Sequence, residues 1–144
     1  MALTHGSNLS ERVIGLAIEV HCRLGPGLLE SAYEECLCFE LRAASIPYNR
    51  QVALPIFYKE MRLDCGYRMD LVIASELIVE IKSIERLMPI HDAQLLTYLR
   101  LSGLRVGLLM NEFQQRRPQR RAAPLGIVTN SVISVSPWCI VQNT

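Results

Sequence analysis

No apolar run in this 144-residue chain approaches the roughly 20 residues that cross a bilayer. The opening residues, Met1-Ala-Leu-Thr-His-Gly-Ser-Asn8, lack both the basic start and the apolar run of a signal peptide. A cytoplasmic location is the expectation. Paired cysteine spacing is missing as well. The five cysteines stand at 22, 36, 38, 65 and 139. An odd count without such spacing does not read as a disulfide framework, and free thiols fit a reducing compartment. Cys36 and Cys38 fall two apart on an expected helix and point to different sides of it, which argues against a zinc or iron–sulfur site. There is no internal repeat.

A basic surplus is missing too. The net charge is +1, but every acidic residue lies at or before Glu112, while Arg116, Arg117, Arg120 and Arg121 follow it. Residues 1–113 carry 11 basic and 14 acidic groups, a net of −3, so the body is no broad cationic surface that binds nucleic acid by charge alone. What is present is a globular composition, 50% hydrophobic and 20% charged, in a chain long enough for one domain with a real core.

Periodicity organises that chain. Asn8 to Leu24 reads as a helix, with Asn8 as its cap and Leu9, Val13, Leu16, Ala17, Val20 and Leu24 as its apolar stripe. Gly25-Pro26-Gly27 breaks it. A second helix, from about Leu28 to Ala44, puts Glu30, Tyr33, Glu34, Leu37 and Leu41 on one stripe. Gln51–Tyr58 reads as a strand interrupted by Pro55, and Met61–Cys65 as a short return strand. Tyr67–Ala74 and Leu77–Ile84 follow as strands, then a helix from Pro89 to Ser102 stopped by Gly103, and a last apolar strand over Leu104–Met110. Ile127–Val135 is β-branched enough for a strand, without an evident pairing partner. Residues 1–113 form the expected domain. Residues 114–144 read as an atypical arginine-rich tail, a linker or a frayed end.

The strands Tyr67–Ala74 and Leu77–Ile84 are apolar on both faces, as in a sheet covered on both sides, yet they contain Asp70, Glu80 and Lys82. Buried charges are costly unless paired or bound to metal. Glu80 and Lys82 share one face because side chains alternate along a strand. Asp70 joins them if the loop is Ala74-Ser75-Glu76, which sets Asp70 opposite Glu80 and Arg68 opposite Lys82. Two such carboxylates offer hard oxygen ligands for Mg2+ or Mn2+, an ion that can activate water and offset charge on a phosphodiester. Lys82 beside it can stabilise the transition state. The plainer alternative is an ion pair of Glu80 with Lys82 or Arg68. For Glu30 the plainer alternative is a first-turn carboxylate favoured by the helix dipole. In the third helix, Gln94 and Tyr98 are four apart and share a face that can hydrogen-bond phosphate; the plainer alternative is a tyrosine packed against the sheet with a polar neighbour at the rim. His91 reads as a surface or capping residue.

Several stretches together resemble one family. Gly27-Leu-Leu-Glu30-Ser-Ala-Tyr33 matches the signature that names the GxxExxY protein family, and Ile18-Glu-Val-His21, Leu24-Gly-Pro-Gly27, Tyr67-Arg-Met-Asp70-Leu, Val79-Glu-Ile-Lys82 and Gln94-Leu-Leu-Thr-Tyr98-Leu are similar to it in unbroken order. That family is grouped with the PD-(D/E)XK nucleases. The resemblance implies an α/β, restriction-endonuclease-like fold, a mixed central sheet flanked by helices. It also implies that Asp70, Glu80 and Lys82 take the D…ExK positions and that Glu30 is the helical acidic residue that adds to the metal site. Gln94 and Tyr98 resemble the Q-xxx-Y motif of the RecB-like exonuclease branch. Met110-Asn111-Glu112-Phe113 and the arginine-rich end depart from the family's finish.

The implied protein is a Mg2+- or Mn2+-dependent nuclease, with Asp70, Glu80 and Glu30 as metal ligands, Lys82 catalytic, and Gln94 and Tyr98 placing the substrate. Its partner would be nucleic acid, DNA first, with no membrane; a homo-oligomer or a protein partner stays open. The alternative is a catalytically inactive nuclease-fold module that binds nucleic acid or a protein.

Overall fold

Pro26 and the glycines on either side of it split the N-terminal helical segment in two. In the computed structural model, which describes residues 5–112 and 132–135, α1 runs over His5–Leu24 and α2 over Glu30–Ala43. Gly25 and Gly27 hold φ of 73° and 91°, a region glycine enters without the steric penalty of a Cβ. Helix α1 is already formed at His5, so Asn8 lies within it and does not cap it. The expected stripes hold except at the two ends that face the turn, where Leu24 and Glu30 are exposed. Val13, Ala17 and Val20 of α1 are buried, as are Tyr33, Glu34, Leu37, Cys38 and Leu41 of α2.

The first extended segment divides at Pro55. Strand β1 covers Tyr48–Ala53, while β2 (Ile56–Tyr58) and β3 (Met61–Leu63) pair only with each other as a two-stranded ribbon. Then come β4 (Arg68–Ile73), β5 (Leu77–Lys82), α3 (Pro89–Ser102), β6 (Val106–Asn111) and β7 (Val132–Val135). Pro89 opens α3, where its missing N–H is of no consequence, and Gly103 closes it at φ 76°.

The main sheet has the order β1-β4-β5-β6-β7. Strands β1, β4 and β5 pair antiparallel, and β5, β6 and β7 pair parallel. The β5–α3–β6 crossover supplies the helix that a parallel connection requires. Between β4 and β5 the register is Leu71↔Val79, Val72↔Ile78 and Ile73↔Leu77. The loop is therefore the expected Ala74-Ser75-Glu76, and the same count sets Asp70 opposite Glu80.

Both faces of the sheet are covered. Leu71, Ile73, Leu77, Val79, Ile81, Leu108 and Met110 pack with α1 and α2, whereas Val72, Ile78 and Leu109 pack with Leu95, Tyr98 and Leu99 of α3. Each fully buried Leu- or Ile-sized side chain contributes roughly 1.5–3 kcal/mol of transfer free energy, which is why the central strands are nearly continuous in apolar residues. This is a mixed sheet flanked by helices, as the resemblance implied. No described helix is long and apolar enough to cross a membrane.

One expectation changes. Cys22 is disulfide-bonded, so five free thiols is not the state of this chain; Cys36, Cys38 and Cys65 are free. Val132–Val135, the described part of the expected Ile127–Val135 strand, pairs with β6 from Gly107↔Val132 to Met110↔Val135, and residues 127–131 lie outside the described residues. Residue by residue, the arginine-rich stretch 114–124 lies outside the described residues.

Candidate active site

The ladder between β4 and β5 stops at Leu71↔Val79, and beyond it side chains replace the backbone carbonyls as acceptors. The Asp70 N–H donates to Glu80 Oε1 at 2.9 Å, and the Ile81 N–H donates to Asp70 Oδ2 at 2.9 Å. Each carboxylate thus takes an amide from the strand opposite its own. That exchange fixes both acids at the open end of the hairpin.

Glu80 is 4% exposed. Burial, and next the neighbouring charge of Asp70, push its carboxyl up to about 8 from 4.5, against the opposing pull of the Asp70 N–H bond and the Lys82 charge. A carboxyl so placed holds a proton that a cation can replace, because a positive charge removes both the desolvation cost and the repulsion. The donor set, two hard carboxylates, fits a divalent cation of the Mg2+ or Mn2+ kind. Among the described residues, neither Lys82 nor Arg68 forms an ion pair with an acid. The plain ion-pair reading of Glu80 does not hold. Lys82 is half-buried and free to meet another anion.

Helix α3 brings the second constellation to the same place. Gln94 Nε2 donates to the Tyr98 hydroxyl at 2.8 Å. Tyr98 is buried, and burial followed by the charge of Glu80, with a smaller part from Asp70, raises its hydroxyl's pKa. Its ring meets Tyr67 edge-on, centroids 6.4 Å apart and planes at 71°, a favourable aromatic geometry. His91 caps the same helix by accepting the Met88 N–H on Nδ1 at 2.9 Å.

Glu30 stands slightly apart. It accepts the Ser83 N–H at 3.0 Å, one residue beyond Lys82, while Ser83 Oγ donates to the Leu28 carbonyl at 2.7 Å. Among the described residues, no three His, Cys, Asp or Glu side chains gather as a ligand group. The letters of the Gly27-x-x-Glu30-x-x-Tyr33 signature now have separate physical jobs. Gly27 permits the turn, Glu30 clamps the end of β5, and the Tyr33 hydroxyl donates to the Gly25 carbonyl while accepting the Leu28 N–H at 3.2 Å.

Other polar groups around the site were not singled out from the sequence. Glu34, on the same α2 stripe as Glu30, takes Gln51 Nε2 at 3.0 Å and Arg50 Nε at 3.1 Å. Asn111 clamps the segment after β5 by bonding both the N–H and the carbonyl of Ile84, at 3.1 and 2.8 Å. His21 Nδ1 and Glu112 Oε2 meet at 2.7 Å in a buried pair, and the Glu112 N–H donates to the Lys82 carbonyl at 2.8 Å. The inward stripe held a signal for Glu34 and the Ile18-Glu-Val-His21 stretch one for His21; nothing in the local pattern marked Arg50, Gln51, Asn111 or Glu112.

Residues 7–122 match the description of the PD-(D/E)XK nuclease superfamily. The chain belongs to that superfamily. Asp70, Glu80 and Lys82, on the open end of the hairpin, lie within the matched residues. No curated protein and no solved structure matched the chain. PD-(D/E)XK membership makes nuclease-type chemistry the frame for this site, whereas fold and motif alone do not choose a substrate.

Proposed function

We propose that this PD-(D/E)XK protein is a nuclease of the GxxExxY type that hydrolyses phosphodiester bonds of DNA with Mg2+ or Mn2+. The observation that carries the reading is the amide exchange between Asp70 and Glu80, which holds two carboxylates together beside Lys82, a lysine with no ion pair among the described residues. Asp70 and Glu80 would hold the cation, and Glu30, at the end of β5, would serve as a further ligand or orient water. A bound divalent cation supplies charge neutralisation at the phosphate and lowers the pKa of coordinated water.

The chain's own residues account for the rest. The Lys82 ammonium meets the negative charge that builds on the phosphoryl oxygens as the water oxygen bonds to phosphorus and one P–O ester bond breaks. The attacking water gives up a proton to surrounding water, and the leaving alkoxide takes one from surrounding water and departs as an alcohol. Gln94 and the Tyr98 hydroxyl it binds hydrogen-bond a flanking phosphate and keep the scissile group in line. Tyr98 and Leu95 are buried against the sheet, which holds the α3 side of the site in place.

The test uses purified protein with linear, nicked and single-stranded DNA, and with RNA, in Mg2+ or Mn2+ and in chelator, beside Asp70→Asn and Lys82→Ala. Cleavage that needs the cation and falls by roughly two to three orders of magnitude in Lys82→Ala, and is lost in Asp70→Asn, supports the proposal. Cleavage that survives both substitutions refutes it. Tight binding without cleavage would instead assign the fold to a non-catalytic module.

A further inference from the structure

Gln51 stands directly across β1–β4 from Asp70, between the partners Arg50↔Leu71 and Val52↔Met69. Its φ is 49°, a left-handed value in mid-strand that costs a residue with a Cβ roughly 1–2 kcal/mol. Such local strain persists only where surrounding interactions hold it. Here they are two hydrogen bonds from one amide nitrogen: Gln51 Nε2 donates to Glu34 Oε2 at 3.0 Å and to Asp70 Oδ1 at 3.4 Å.

The anchor of that amide is itself fixed. Glu34 is buried, and its other oxygen takes Arg50 Nε at 3.1 Å; Arg50 in turn reaches Glu35 Oε2 with Nη1 at 2.6 Å. On the opposite side, Asp70 Oδ2 is held by the Ile81 N–H. Asp70 is thereby gripped at each oxygen from a different neighbouring strand, β1 on one side and β5 on the other.

We propose that Gln51 is a positioning residue, whose amide, anchored on Glu34, sets the rotation of the Asp70 carboxylate for a divalent cation. This rests on the reading that Asp70 and Glu80 hold such a cation. The torsion that turns a carboxylate about its own axis is broad. One bond at Oδ2 leaves that rotation loosely defined, and a second at Oδ1 defines the plane. The amide is also neutral, so it ties Glu34 to the site without bringing a third negative charge onto Glu80. A group that binds a ligating carboxylate from outside typically alters metal affinity by about 10–100-fold.

Glycine separates the side chain from the backbone, because it adopts φ 49° freely and has no amide to give. Mn2+ binding to the full chain is measured by calorimetry for the wild type, Gln51→Gly, Gln51→Asn and Asp70→Asn, with thermal unfolding of each in chelator. The expected result is a folded Gln51→Gly whose Mn2+ affinity is weaker by about tenfold or more, and whose kcat falls while KM holds. Gln51→Asn, which tolerates the backbone and keeps a shorter amide, recovers part of the affinity. Wild-type Mn2+ affinity in Gln51→Gly overturns the positioning role and leaves the cation site standing. A lowered unfolding temperature with unchanged affinity also overturns it, in favour of a purely structural bridge. If the wild type binds no Mn2+, or Asp70→Asn binds as well as the wild type, the cation reading and this inference fall together.

Discussion

Glu80 accepts the backbone N–H of Asp70 at 2.9 Å while lying under that residue's negative charge. The bond favours the carboxylate form, but burial and repulsion favour the acid and prevail, taking the group to about 8 from 4.5. An acid with a raised folded pKa binds its proton more tightly when folded. Its contribution to stability is thus full below pH 4.5, declines as pH rises from 4.5 to about 8, and is flat above. The loss amounts to a few kcal/mol, at about 1.4 kcal/mol per pKa unit. Glu80→Gln removes the titration and keeps an acceptor for Asp70. Urea unfolding in chelator should show the variant more stable than wild type at pH 8, with the gap closing toward pH 5. Saturating Mn2+ should raise wild-type stability at pH 8 by binding the folded state, and raise the variant less. Parallel pH profiles for the two proteins would contradict the assignment.

Tyr33 ties the turn between α1 and α2 to itself, and that turn is tied to the end of β5. Its hydroxyl serves the Gly25 carbonyl and the Leu28 N–H, and the Leu28 carbonyl takes Ser83 Oγ. Tyr33→Phe keeps the buried ring and leaves both backbone groups to find water, a loss of about 1–3 kcal/mol. The same change loosens the segment that delivers Glu30 to Ser83. Chemical denaturation and the cleavage assay should therefore both register it. Full stability in Tyr33→Phe would mean that the hydroxyl contacts are incidental.

The hairpin was legible because two independent constraints met there. Asp70 and Glu80 can share a face only with an odd loop, and Ala74-Ser75-Glu76 gives one. Yet Ala74 and Ser75 reach φ of 51° and 56° with no glycine or asparagine to announce it. Gln51 was illegible for the same reason, since a left-handed glutamine leaves no mark on the pattern of a strand. Asn8 misled in the opposite direction: a good capping residue sits inside a helix already formed at His5, because caps are local preferences that a longer amphipathic run overrides. The β-branched Ile127–Val135 run signalled a strand but not its partner, for composition says nothing about which edge is open; for Val132–Val135 the answer, β6, came from topology. His21 and Glu112 lie 91 residues apart, and no periodicity links such positions.

That pair is a stability device whose two halves depend on each other. His21 and Glu112 are 7% and 3% exposed, and burial raises the Glu112 carboxyl while the His21 bond and charge oppose the shift. Removing one partner strands the other in a dry site. His21→Ala should cost about 3–5 kcal/mol, whereas the double variant His21→Leu with Glu112→Leu should recover most of that loss. A double-mutant cycle by urea unfolding measures the coupling. Additive losses would show that the two side chains do not act as a pair.

Gly107 lets the sheet and α3 approach closely enough to bring Tyr98 to the carboxylates. A Cβ at this position would fall 2.9–3.1 Å from the end of Leu95. Leu95 has no free space to retreat into, being fully buried in the cluster that also holds Tyr98 and Leu99. Overpacking of this kind typically costs about 1–3 kcal/mol. Part of the strain should be relieved by moving α3 away from β6, and Gln94 and Tyr98 flank Leu95 on that helix. Gly107→Ala should therefore lose stability and also lower cleavage, although it touches no polar group of the site. Adding Leu95→Val removes the end of the obstructing side chain. The double variant should be more stable than the sum of the two single losses, with cleavage partly restored. Strict additivity in stability, or unaltered cleavage in Gly107→Ala, would show that the spacing of α3 from β6 does not govern the site.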